Sequence, residues 1–222
     1  MNSDLINFLS GYLTDNRREI LWRVLEKRTR YLTVVLEDIF QSHNAGAVLR
    51  TCDCFGIQDV HIIENINQFE VNPKVVRGAT KWLTLHHYNQ EENNTLNALS
   101  KLKSDGYKII ATTPHVGDFD LDNLDLTQGK IALVFGTEMK GISPEVANFA
   151  DGFLKIPMFG FTESLNISVS AAIILHHLTF KLNHLKVNYQ LTDKEKEEVM
   201  LNWLKSSIKG SESMIKDFLA KK

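Results

Sequence analysis

Apolar and polar residues along this chain follow two alternating periods. Leu5, Ile6, Leu9 and Leu13 recur at helical spacing, as do Ile20, Leu21, Val24 and Leu25, which predicts two short amphipathic helices over Asn2–Leu13 and Asn16–Thr29. From Leu32 the period changes: Leu32-Thr-Val-Val-Leu-Glu37 is β-rich, and a helical stretch follows from Asn44 that Gly56 can close. Further apolar runs lie at Asp59–Ile63, Leu83–Tyr88, Tyr107–Thr112, Ile131–Phe135 and Phe153–Ile156, with helical patterns between them at Asn94–Ser104 and Ser143–Ala150. Short apolar strands separated by helix-length segments predict an α/β fold: a mainly parallel sheet with helices on both faces.

The helix expected from Ile167 to about His184 carries Ile167, Ala171, Ile174 and Leu178 on one face, a stripe suited to the core or to a dimer contact, while Ser168, Ser170 and Ala172 keep its start slim. After Tyr189 two more helices are expected. The first has a capping box, Thr192-x-x-Glu195, and apolar positions at Val199, Met200, Trp203 and Leu204; Met214, Ile215, Phe218 and Leu219 mark the second. The chain therefore divides into an N-terminal helical extension (1–30), an α/β domain (31–185) and a C-terminal helical extension (186–222).

Composition changes little in this picture. With 43% hydrophobic and 23% charged residues over 222 positions, the chain is ordinary globular material. No apolar run approaches the ~20 residues of a membrane span. The first residues, Met1-Asn-Ser-Asp4, show neither the charged nor the apolar part of a secretion signal, so a cytoplasmic location is expected. The distribution of charge is more informative than the net value of −2. Residues 1–30 carry +2, residues 31–180 carry −7 and residues 181–222 carry +3. Between Arg17 and Arg30 stand six basic residues, interleaved with Trp22 and continuing to Tyr31. That pattern suits phosphate contact with base stacking, and equally a solvated helix face.

Several chemistries are excluded by spacing. Gly136-Thr-Glu-Met-Lys-Gly141-Ile-Ser143 nearly spells a phosphate loop, but Lys140 precedes the second glycine and Ile142 stands where the lysine should follow it. There is no G-x-G for a dinucleotide and no G-x-S-x-G for a nucleophilic serine. Cys52 and Cys54, two apart on an expected helix, point to different faces and are read as buried structural thiols. The eight histidines contain no His-x-x-x-His, and no metal site is assigned.

Three punctuated segments remain, each placed where a strand ends, the edge at which open parallel sheets bind ligands. They are Asn44-Ala-Gly-Ala-Val-Leu-Arg50-Thr51, Phe135-Gly136-Thr-Glu138-Met-Lys-Gly141-Ile-Ser143, and Ile156-Pro-Met-Phe-Gly160-Phe-Thr-Glu-Ser164-Leu165-Asn166-Ile-Ser168-Val-Ser170. Residue by residue they allow plainer readings: Asn44 as a helix N-cap, Arg50 as an ion-pair partner of Asp53, and Glu138 as a partner of Lys140 or Arg77. Taken together, in this order and spacing, they resemble the signature motifs of the SPOUT superfamily of methyltransferases, and most closely its TrmH (SpoU) branch, over about residues 32–180.

That resemblance implies a C-terminal trefoil knot, S-adenosyl-methionine bound in the knot, and a homodimer. It further implies that Arg50 acts on the target ribose hydroxyl, with Asn44, Glu138, Ser164 and Asn166 completing the catalytic set, and that Thr112, Gly136, Ile156 and Leu165 hold the cofactor. Short helical extensions at both ends are similar to those of the tRNA enzymes of this branch. The expected substrate is accordingly tRNA, methylated on a D-loop guanosine 2′-hydroxyl, with Arg17, Arg18, Arg23 and Arg28 on its phosphates. Ribosomal RNA as substrate, or RNA binding without chemistry, are the alternatives. Arginine is an awkward general base because its pKa exceeds ~12, so Arg50 is read as an electrostatic group that steadies the developing alkoxide.

Overall fold

The computed structural model describes residues 2–70, 73–76, 78–115, 117–137 and 140–220. These fall into two compact units, one formed by residues 30–189 and the other by the segments up to Thr29 and from Gln190 onward.

The larger unit is a six-stranded, wholly parallel sheet with helices on both faces. In chain order it comprises β1 (Leu32–Glu37), α3 (Ser42–Cys54), β2 (Asp59–Ile63), α4 (Pro73–Val76), β3 (Thr84–Tyr88), α5 (Asn94–Ser104), β4 (Tyr107–Thr112), β5 (Lys130–Phe135), α6 (Pro144–Phe149), β6 (Gly152–Leu154) and α7 (Ile167–Asn183). Strand order is β3-β2-β1-β5-β4-β6. The order reverses between β1 and β5, which pair in parallel with Leu36 opposite Phe135.

The burial of every residue of β1 is explained by its two covered faces. Leu32, Val34 and Leu36 join Leu133, Phe135, Val60 and Ile62 in a core under α3 and α7. Val35 points the other way, with Ile109, Ala132, Val134 and Ile63, into a second core under α5 and α6. All four residues of the expected α7 stripe, Ile167, Ala171, Ile174 and Leu178, are buried in the first core. The opposite face of α7 leaves Val169, Ile173 and Phe180 exposed, as are Phe159 and Phe161 in the preceding loop.

The smaller unit contains α1 (Asn2–Ser10), α2 (Asp15–Leu25), α8 (Asp193–Ser207) and α9 (Ser211–Ala220). Leu5, Ile6, Leu9, Leu21 and Leu25 are buried there, as are Val199, Met200, Trp203 and Leu204. Phe8 stacks on Phe218 with centroids 4.7 Å apart. The capping box of α8 forms as expected, Thr192 and Glu195 exchanging side-chain to backbone bonds.

Five expectations need correction. α1 stops at Ser10, three residues short of the expected Leu13. α2 stops at Leu25, because Lys27 and Arg28 donate to the carbonyls only three residues back and Thr29 then enters an antiparallel bridge with Gln190. Arg28 is 1% exposed, its guanidinium 5.2 Å from the centre of the Trp203 ring, so the desolvated cation packs on an aromatic face and is closed to RNA phosphates. Cys52 is buried, but Cys54 is exposed, since the two residues sit on different faces of α3. Asn44 is not an N-cap: α3 begins at Ser42, placing Asn44 within the first turn and Gln41 at the cap position.

Candidate active site

The carboxyl ends of β4, β5 and β6 open onto a cavity of about 530 Å³ beside the point where the strand order reverses. Its walls come from all three signature segments. Gln41 and Asn44 contribute from the start of α3, Gly136, Thr137 and Lys140 to Ile142 close one side, and Ile156, Met158 and the turn Ser164–Ile167 close another. Thr112 to His115 line it where β4 ends.

The first and third segments are physically joined. Asn166 N-caps α7, its Oδ1 accepting from the Ser168 amide (2.9 Å) and hydroxyl (2.6 Å), while its Nδ2 donates to Asn44 Oδ1 at 3.1 Å. Asn44 is buried and passes the chain on, donating through Nδ2 to Gln41 Oε1 at 3.1 Å. One short polar relay thus sets the start of α3 against the start of α7.

The second segment is a tight loop. Thr137 and Gly141 exchange backbone hydrogen bonds (2.8 and 3.0 Å), and Gly141 takes a φ of +70°, which favours glycine. Gly136 is there for a different reason: a Cβ on it would lie 2.1 Å from the Gly141 carbonyl oxygen. The loop ends at Ser143, which N-caps α6 through a 3.1 Å bond from the Val146 amide.

Seven of the nine residues expected from the resemblance line this one cavity or its rim: Asn44, Ser164 and Asn166, with Thr112, Gly136, Ile156 and Leu165. Thr112 is held by its hydroxyl on the Val134 carbonyl at 2.9 Å. Arg50 is exposed on α3 and is not among the lining residues. Glu138 lies outside the described residues. In the helical unit Arg23 is exposed and Arg17 and Arg18 are half-buried, Arg18 pairing with Asp15. Tyr31, counted with this basic cluster in the sequence, belongs to the sheet unit and donates its hydroxyl to the Leu126 carbonyl at 2.6 Å.

Sequence reasoning missed Gln41, His115 and Met158 as lining residues and took Lys140 for part of a failed phosphate loop. Position just past a strand end was the available signal for His115; Gln41 offered only its place before α3. A small cavity with apolar walls from Leu154, Ile156, Leu165 and Ile174, backbone groups of a glycine loop, and the cationic Lys140 fits a ligand that is part aromatic and part zwitterionic.

Comparison with known proteins agrees with this geometry. The model of the SpoU rRNA Methylase family matches residues 31–176. The chain is 43% identical over 205 residues to the tRNA (guanosine(18)-2'-O)-methyltransferase of Borreliella burgdorferi, covering 92% of each. Among solved structures, the Aquifex aeolicus TrmH/SpoU tRNA modifying enzyme superposes with a TM-score of 0.76 at 28% identity, over 88% of this chain and 98% of that one. The SpoU methyltransferase AviRb of Streptomyces viridochromogenes, solved in complex with AdoMet, shares the fold with a TM-score of 0.61 at 22% identity, over 73% and 62% of the two chains. On the family match and the similarity to the Borreliella enzyme, the chain belongs to the SpoU methylase family.

Proposed function

We propose that this protein transfers a methyl group from S-adenosyl-methionine to the ribose 2′-hydroxyl of a D-loop guanosine in tRNA. The observation that carries the reading is the Asn166–Asn44 hydrogen bond, which puts the first signature at the mouth of a cavity walled by the other two. The substrate follows the named relatives, whose acceptor is guanosine 18.

The cofactor would supply an electrophilic methyl group on a sulfonium sulfur. Thr112, Gly136, Ile156 and Leu165 would hold it, the apolar side chains against the adenine and the backbone of the glycine loop close alongside. Asn44, Ser164 and Asn166 shape the rim where the sugar must lie. Arg50, about 9 Å along the axis of α3 from Asn44, presents a permanent cation on the surface that RNA approaches. Its role is to fix a phosphate and stabilise negative charge developing on the 2′-oxygen, while the proton leaves to the phosphate or another acceptor. Glu138 would offset or align that guanidinium.

Arg17, Arg18 and Arg23 supply the phosphate contacts of the helical unit. The exposed side of α7, with Val169, Ile173 and Phe180, supports a homodimer. The family likeness supports a C-terminal knot, an arrangement that chains otherwise avoid. Among the described residues no helix is long and apolar enough to cross a membrane, and the proposed site of action is the cytoplasm, where the substrate resides.

Nucleoside mass spectrometry of RNA from cells lacking this protein, against the same cells complemented, tests the reading. Loss and recovery of 2′-O-methylguanosine in tRNA is the expected result. A change confined to ribosomal RNA would reassign the substrate, and no change in either would leave a binding protein.

A further inference from the structure

The second signature loop is fixed from beneath by a carboxylate that none of the signatures contains. Glu37, the last residue of β1, is 2% exposed. A carboxylate only accepts hydrogen bonds, and burying one is costly unless donors surround it. Three do: Oε2 accepts from the Ser143 amide at 3.1 Å, and Oε1 accepts from the Ser143 hydroxyl and the Thr95 hydroxyl, both at 2.7 Å.

Two of the three come from Ser143, the residue that ends the glycine loop and begins α6. The other end of that loop is Phe135, which lies opposite Leu36 in the β1–β5 ladder. Both ends are therefore referenced to consecutive residues of one buried strand, Leu36 through the ladder and Glu37 through its side chain. With the ends set, the Thr137–Gly141 closure holds Gly136, Thr137, Gly141 and Ile142 where they wall the cavity.

We propose that Glu37 is a positioning residue for cofactor binding, acting through Ser143 on the wall residues Gly136, Thr137, Gly141 and Ile142. The inference rests on the reading of the cavity as the S-adenosyl-methionine site. The third arm of the carboxylate, Thr95 on α5, reaches away from the loop and accepts from Asn65 Nδ2 at 2.8 Å, so it supports the fold without touching the cavity wall.

Glu37→Gln discriminates because an amide cannot serve all three donors. In one orientation its NH₂ meets the Ser143 N–H, donor against donor. In the other it displaces two hydroxyl protons whose oxygens already accept, from Val146 and from Asn65.

S-adenosyl-methionine is titrated calorimetrically into the full-length protein and its variants, with melting temperatures measured alongside. The wild type should bind, Glu37→Gln and Ser143→Ala should bind about tenfold more weakly or worse, and combining them should add little beyond Glu37→Gln. Thr95→Val should lower the melting temperature and leave cofactor affinity within about twofold. Wild-type affinity in both Glu37→Gln and Ser143→Ala overturns the proposal, as does a loss in Thr95→Val equal to that in Glu37→Gln, which would mark general destabilisation. If Glu37→Gln does not fold, Ser143→Ala against Thr95→Val decides alone. A wild type that fails to bind overturns the underlying reading of the cavity, and is recognised by the absence of heat before any variant is compared.

Discussion

Asn166 and Asn44 stand 122 positions apart in the chain and share a 3.1 Å hydrogen bond that fastens the N-terminus of α7 to the first turn of α3. The same Asn166 side chain caps α7 through Ser168, so removing it should have two separable effects. Asn166→Ala is expected to cost about 1 kcal/mol of stability as a lost cap. Asn44→Ala keeps the cap and removes the junction together with the Asn44–Gln41 hydrogen bond. Both should lower methyl-transfer kcat/KM, and the double variant should lose less than the sum, read by a four-variant kinetic cycle with melting temperatures.

Gly136→Ala places a methyl group 2.1 Å from the Gly141 carbonyl oxygen and 2.5 Å from the Ile142 nitrogen, both backbone atoms. No side-chain rotation relieves that approach, so the loop must move. Cofactor affinity should fall about tenfold or more, while Gly160→Ala, which meets nothing within 4 Å, should bind as wild type.

Arg28 and Arg23 are expected to separate by assay. Arg28→Ala removes a buried cation stacked on Trp203 and should destabilise the helical unit by about 2 kcal/mol or more, seen as a lower urea midpoint. Neutralising Arg17, Arg18 and Arg23 should leave the midpoint nearly unchanged and flatten the dependence of tRNA affinity on salt, by roughly one unit of slope for each phosphate that is no longer neutralised.

Burial of His61 makes stability depend on pH. His61 stacks on His86 at 4.5 Å and bonds Tyr88 through Nδ1 at 3.0 Å. Burial, reinforced by the neighbouring His86, pushes its pKa down to about 3. Between that value and the ordinary 6.5 the unfolded chain takes up a proton that the folded one refuses, so stability falls as the solution is acidified from pH 6.5, by up to about 1.4 kcal/mol per unit. Asp59, beside Arg30 at 3.0 Å, acts in the same direction at lower pH. Burial raises its pKa, but His86, 3.7 Å away, and Arg30 outweigh this, so its contribution is present above the ordinary carboxylate range and lost below it. Urea unfolding at pH 5 and 7.5 should show the loss, and His61→Leu should reduce it.

The exposed side of α7 should be covered in solution. Phe180 is 61% exposed on a helix whose other face is core, and Ile173→Asp with Phe180→Glu should convert a dimer to a monomer by sedimentation velocity without lowering the melting temperature of the isolated chain.

Much of the fold was legible because β1 and β5 are mostly apolar on both faces, the mark of strands covered on both sides, and because helical periods fill the gaps. The residues around the cavity were legible as motifs, not as contacts. Nothing local to Asn44 says that the helix starts two residues before it or that its partner is Asn166. Glu37 reads in sequence as a charge that ends a strand, and only the folded chain shows Ser143 and Thr95 converging on it. Counting basic residues could not tell Arg23 from Arg28, since burial is decided by Trp203, far along the chain.

The most direct test of the central claim uses purified protein, labelled S-adenosyl-methionine and two tRNA transcripts that differ only in carrying guanosine or 2′-deoxyguanosine at position 18, the acceptor named for the Borreliella relative. Label should enter the first and not the second. Equal incorporation into both would contradict transfer to that ribose oxygen.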